Sequence, residues 1–222
     1  MNYKIILLSA FFALSTLFIS AQNFEGIVTI NMYVAEKNDN VTIVWKIKGD
    51  KHRLEYEGTM GERKYSQVML IDNNEPKMKL LVESKGEKKV YTSNVPPSSF
   101  DNTRYVEHSF ESNVKMIESY KADQLTLKSP ERRTVCWMSK EVPLSIDMLP
   151  RNLRANGAFS YFQLRKIPGF PLEIEIIGAD GKVLVSQKIV SIKATPISDD
   201  EFVVGSEYVD PAAIMKADPV NK

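Results

Sequence analysis

Apolar and polar residues alternate with a period of two along most of this chain, and that period predicts β-strands. Across residues 26–34, Val28, Ile30, Met32 and Val34 fall on one face, with Thr29 and Asn31 on the other. After a polar turn at 37–40, Val41, Ile43, Trp45 and Ile47 repeat the pattern, and Gly49 with Asp50 reverses the chain. Residues 51–57 return as a partner strand in which His52, Leu54 and Tyr56 oppose Lys51, Arg53, Glu55 and Glu57. One side of this hairpin is aromatic and aliphatic and the other is charged, so the sheet has one wet face.

Residues 58–64 (GTMGERK) are flexible by composition, and strands are expected at 66–72, 77–83 and 88–92. Met78, Leu80 and Val82 continue the apolar row. Residues 94–113 break the rhythm with Pro96 and Pro97 and read as a long surface connection, a candidate lid. Alternation resumes at 123–128, where Leu125 and Leu127 share a face, and continues at Val135 and Trp137, opposed by Cys136 and Met138. Residues 143–162 predict a broken helix bounded by Pro143, Pro150 and Gly157, a second cover segment.

The last long stretch, 167–208, predicts a hairpin. Leu172, Ile174 and Ile176 alternate with Glu173 and Glu175, and Asp180-Gly181 supplies the turn. In the returning strand Val183 and Val185 lie on one face but Val190 and Ile192 on the other, so this strand either carries a bulge or covers different surfaces with its two halves.

Ahead of these strands stands MNYKIILLSAFFALSTLFISA, with Lys4, an apolar run from Ile5 to Ile19, and small Ser20 and Ala21. This predicts a cleaved signal peptide at 1–21, since the run is shorter than the ~20 residues a spanning helix needs. An open β-barrel domain is expected over 22–210 and a flexible tail over 211–222. The location is then periplasmic or secreted. Cys136 is the only cysteine, so no intramolecular disulfide can form, and no cysteine follows the apolar run to accept a lipid anchor.

Lys and Arg number 29 against 28 Asp and Glu, a balance that removes the electrostatic argument for nucleic acid as a partner. His52 and His108 are isolated in sequence, no G-x-S-x-G elbow or Gly-rich phosphate loop occurs, and Glu173 with Glu175 reads as the wet side of a strand. No metal, cofactor or catalytic residue is therefore expected, and the protein is not expected to be an enzyme. His52, on the apolar face, reads as a hydrogen-bonded structural histidine.

What remains is the apolar sheet face. Its candidate ligand-binding residues are Ile30, Met32, Ile43, Trp45, Leu54, Tyr56, Met78, Leu80, Val135, Trp137, Leu172 and Ile174. Two readings follow. The face lines a hollow that takes an apolar ligand, each buried methylene contributing about 0.8 kcal/mol. Alternatively the face is a filled core, and the protein is a structural or protein-interaction module of the envelope.

The order of parts carries a resemblance: the opening G-x-V-x-I-x-M, the hairpin KIKGDKHRLEYEG, the segment CWMSKEVPL, and the terminal GFPLEIEIIGADGKV with SIKATPISDDEFVV. Over residues 24–208 the chain resembles a family of exported bacterial proteins of unassigned function, typical of Bacteroidetes-type organisms and similar to the Lol lipoprotein-carrier superfamily. The resemblance implies a mainly β, LolA/LolB-like incomplete barrel, a strongly curved antiparallel sheet with a helical or loop lid. It also implies carriage of a lipid or an acylated protein, with no catalytic residue to carry over; with no second apolar run in the sequence, no stable membrane span is expected. Nothing in the sequence sets the oligomeric state.

Overall fold

The inward rows of alternating residues pair with one another across the sheet as the period predicts. The computed structural model of the protein describes residues 24–60, 63–95, 105, 107–154 and 157–212. The expected signal peptide and most of the expected tail lie outside them. β1 (Glu25–Val34), β2 (Asp39–Lys48), β3 (Lys51–Met60), β4 (Arg63–Asp72), β5 (Lys77–Ser84) and β6 (Glu87–Asn94) form a first meander. β7 (Glu107–Ile117), β8 (Tyr120–Lys128) and β9 (Arg132–Ser139) begin a second, followed by short helices α1 (Arg151–Arg154) and α2 (Gly157–Arg165) and the hairpin β10 (Phe170–Gly178) and β11 (Val183–Ala194).

The last strand pairs with the first. Antiparallel pairing of β11 with β1 fuses the two meanders into one eleven-stranded sheet, ordered β6-β5-β4-β3-β2-β1-β11-β10-β9-β8-β7. β6 and β7 are its edges, so the fold is an open, curved antiparallel sheet, an incomplete barrel with a helical lid. Curvature has a local cause. Thr29 pairs with Ser191 but Ile30 with Ile189, leaving Val190 as an extra residue. Leu184 is extra opposite β10, and Leu172 is extra opposite β9. Two bulges thus lie on β11, one of them at the seam with β1, and a third on the neighbouring β10, and a bulge bends its strand and increases the local twist.

The bulge at Val190 settles the change of face in the terminal strand. With one residue inserted, Ile192, Ile189, Gln187 and Val185 pair in turn with Val28, Ile30, Met32 and Val34 and share their face. Both halves of β11 therefore line the concave side.

Segment 140–169 crosses that side. Val142, Leu144, Ile146, Leu149, Tyr161, Phe162 and Ile167 are buried in one cluster with Val28, Ile30, Ile43, Trp45, Leu54, Cys136, Met138, Leu172 and Ile174. Pro150 opens α1, its carbonyl accepting from the backbone N–H of Leu153 and Arg154, a place where a missing donor costs nothing. The segment re-enters the sheet through Gly169, at φ +95, where a Cβ would stand 2.7 Å from the Ser139 carbonyl oxygen. Phe170 then stacks on Trp45 with ring centroids 6.5 Å apart.

The outer face is covered in part by the chain end. After β11, residues 195–209 strap back across it, Ile197 being buried and Asp199–Phe202 forming a 3-10 turn. Val204 and Tyr208 pack on Leu70, Leu81 and Val90, which point outward from β4, β5 and β6. Val209 then adds a parallel bridge to the free edge of β6, donating to the Lys88 carbonyl and accepting from Val90, each at 3.0 Å. Acidic groups fasten the strap to basic strands: Glu201 bonds Lys46 at 2.9 Å, and Asp199 bonds Lys48 at 3.1 Å and Lys51 at 3.0 Å.

Three expectations need correction. Val135 and Trp137 lie on the outer face: Trp137 pairs with Glu173 and Gln124, Val135 with Glu175 and Thr126, while Cys136 pairs with inward Ile174. All four residues of Val135-Cys136-Trp137-Met138 are large or apolar, so periodicity could not choose the inward pair. The connection expected through residue 113 ends earlier, because β7 begins at Glu107 and carries His108. Of residues 58–64, expected to be flexible, those described instead extend β3 and β4, which stay paired to Met60↔Arg63, while 61 and 62 lie outside the described residues.

Candidate functional site

The concave face divides into a sealed half and a partly open half. Around β1, β2, β9 and β10 the lid fills it: Ile30, Ile43, Trp45, Leu54, Leu172 and Ile174 are all buried. At its centre sits a polar hub. Trp45 Nε1 donates to His52 Nδ1 at 3.2 Å, and the Asn73 side-chain amide lies 2.9 Å from His52 Nε2. Asn73 Oδ1 in turn accepts from the Arg151 backbone N–H at 2.9 Å, and the Arg151 guanidinium donates to the Asn73 carbonyl. One buried imidazole thereby links β2, β3, the β4–β5 turn and α1. Burial, aided by the nearby Arg154 cation, lowers the His52 pKa to about 4, so the ring is neutral at neutral pH.

Cys136 is likewise sealed, and burial pushes its thiol up, away from the thiolate a nucleophile needs. Among the described residues no group of three or more His, Cys, Asp or Glu is placed to hold a metal ion.

The other half is the wing formed by β3 to β6. Its inward residues continue the rows of the sealed half: Leu54 pairs with Met69, Met69 with Leu80, and Leu80 with Tyr91. Here the lid gives way. Tyr56, Met69, Met78 and Leu80 are only partly buried, and Tyr91 on the edge strand is 46% exposed. On the opposite edge Phe110, which pairs with inward Leu125, is 44% exposed. Burial raises the Tyr56 phenol pKa to about 12, marking an apolar surrounding.

Of the residues expected to bind ligand, Ile30, Ile43, Trp45, Leu54, Leu172 and Ile174 therefore stand in the packed centre. Met32, Tyr56, Met78 and Leu80 stand on the partly open inward surface, and Val135 and Trp137 on the other side of the sheet, where Lys115 sits 3.7 Å above the Trp137 ring. Sequence reasoning missed Asn73, which looked like an ordinary turn residue, and the pair Tyr65 and Asp39. Tyr65 donates its hydroxyl to Asp39 Oδ2 at 2.9 Å. Further hollows lie elsewhere. One of about 240 Å³ is walled by Lys51, Leu70, Asp72, Lys77, Phe202 and Val203 beneath the strap. One of about 210 Å³, between the β7–β8 turn and strands β10 and β11, is walled by Ile117, Tyr120, Leu172, Ile189 and Ile192.

Comparison with known proteins places the fold. A Thermus thermophilus crystal structure, that of an uncharacterized conserved protein, is similar over 91% of this chain and 99% of its own, with TM-score 0.52 and 12% identity. The Pseudomonas aeruginosa MucA/MucB complex structure matches 90% of this chain and 62% of its own, with TM-score 0.43 and 11% identity. At these identities the first likeness shows the fold alone, and the second is too distant to bear on function. No curated protein sequence matches the chain. Residues 24–208, nearly all of the strands and the strap, match one family throughout, and the chain belongs to that family, the domain of unknown function DUF4412.

Proposed function

We propose that this protein is a non-catalytic binding or carrier protein for a hydrophobic ligand, a lipid or the acyl chain of a lipoprotein, acting outside the cytoplasm. One observation carries the reading. The same inward apolar rows that are sealed under the lid at β1 and β2 run on, partly uncovered, across Tyr56, Met69, Met78, Leu80 and Tyr91. A sheet built only as a core would cover these side chains, since leaving large apolar groups in water forfeits about 1.5–3 kcal/mol each. Contiguous apolar surface flanked by a lid is the form a lipid site takes. The absence of catalysis is part of the proposal and is supported by the structural use of His52 and the sealing of Cys136.

Native mass spectrometry of the gently purified protein tests this reading. The expected spectrum contains a one-to-one adduct with a long-chain acyl species, carried over from the host or taken up on addition. A chain that takes up no acyl species at any ratio would return the protein to the filled-core, interaction-module reading.

A further inference from the structure

The inward row of β2 reads Asp39, Val41, Ile43, Trp45 and Ile47, an apolar row with a carboxylate at its end. Asp39 is 5% exposed. Its Oδ2 accepts the Tyr65 hydroxyl, whereas Oδ1 is buried and has no hydrogen-bond partner among the described residues. The Tyr65 ring reaches Asp39 by lying across β3 at Gly58, where a Cβ would stand 2.6 Å from the ring, so a glycine there is a condition of the contact. The arrangement is built, yet it leaves half of a buried carboxylate unsatisfied, a costly state unless something else completes it.

We infer that Asp39 is the head-group anchor of an amphiphilic ligand, and that the head group is an ammonium. The inference rests on the hydrophobic-ligand reading and adds the chemistry of the polar end. A carboxylate oxygen with an open lone pair calls for a donor, and a cation that donates gives the stronger bond. A metal ion would need further ligands, and none cluster here among the described residues. Beside Asp39 on this face stand apolar Val34 across the ladder and Val41 on its own strand, and Tyr65, paired with Gly58, leads from Asp39 toward Tyr56 and the wing, the direction a tail leaving the anchor takes. Half-buried Val34, Met32 and Tyr65 mark the rim by which a head group enters.

The test compares dodecylamine with dodecanoate, two amphiphiles with the same number of carbons and opposite head charges. The wild-type protein is expected to bind dodecylamine at least tenfold more tightly, and Asp39→Asn to bring the two affinities within twofold, with its fold confirmed by circular dichroism. Val34→Lys, which supplies an ammonium opposite Asp39 within the chain, is expected to remove the preference as well and serves if Asp39→Asn does not fold. Lysophosphatidylethanolamine against lysophosphatidylcholine then separates a lipid ammonium that donates from one that cannot. Equal binding of the first pair by the wild type, or a preference unchanged in the variants, overturns the anchor and leaves the hydrophobic-ligand reading standing. Binding of no amphiphile at all overturns both.

Discussion

Ile30 of β1 stands opposite Ile189 of β11, although the neighbouring Thr29 stands opposite Ser191, so Val190 has no cross-strand partner on β1. This single extra residue keeps Ile192 and Val185 on the same face and lies where the two meanders meet. Curvature of the sheet, and with it the concave side, is thereby written at a seam between the first and last strands.

Deleting Val190 should therefore cost far more than shortening it. Without the insertion, one half of β11 must turn its inward row to solvent. We expect Val190→Ala to lose less than about 1 kcal/mol and the deletion to lose on the order of 2–4 kcal/mol in urea unfolding. Equal losses would show that the bulge does not set the register.

The His52 hub predicts a pH dependence of definite sign. The ring titrates near 4 in the folded chain against 6.5 ordinarily, so between these values the unfolded chain binds a proton that the folded one refuses. Its contribution is complete above pH 6.5 and falls by about 3 kcal/mol as pH drops to 4. Urea midpoints of wild type and His52→Gln, measured at pH 7 and pH 4.5, check this. The difference in stability between the two proteins should shrink at the lower pH, and a constant difference would contradict the assignment.

The division of the concave face predicts unequal costs along one row. Trp45→Ala, in the sealed half, should lose about 3–5 kcal/mol, whereas Leu80→Ala, on the wing, should lose about 1 kcal/mol or less. Were Leu80→Ala as costly as Trp45→Ala, the wing would be core.

The strap predicts a hidden apolar surface. Hydrogen bonds from Lys51 and Lys48 hold the Asp199 carboxyl below its ordinary range, and such exposed pairs weaken with salt. A chain ending at Thr195 uncovers Leu70, Leu81 and Val90 and should bind more of a hydrophobic dye than the full chain does. An unchanged dye signal would mean that these residues close over without the strap.

How far the sequence carried the fold depended on which strands have one wet face. β1, β2 and β3 alternate strictly, and their inward residues and turns were readable from spacing. Runs apolar at both parities, Val68 to Ile71 and Val135 to Met138, were not, because periodicity is lost where both faces are covered or contacted. The first run, with outward Leu81 beside it, announces the strap, an element with no pattern of its own. β7 escaped because an edge strand with exposed side chains and a register shift between Glu111 and Lys115 need not alternate. Of the candidate site, Tyr56, Met78 and Leu80 came from the period; Asp39 did not, since a carboxylate next to a turn reads as solvated until the Tyr65 contact shows it buried.

The central claim is that the wing takes up an acyl chain while the lid-covered half remains a packed core. Methionine-methyl NMR during titration with a long-chain fatty acid tests it most directly, because Met78 lies on the wing and Met138 is sealed in the centre. The account predicts that the Met78 methyl resonance shifts and saturates while that of Met138 stays in place. A Met78 resonance unmoved at saturating ligand, or a Met138 shift as large as that of Met78, would contradict it.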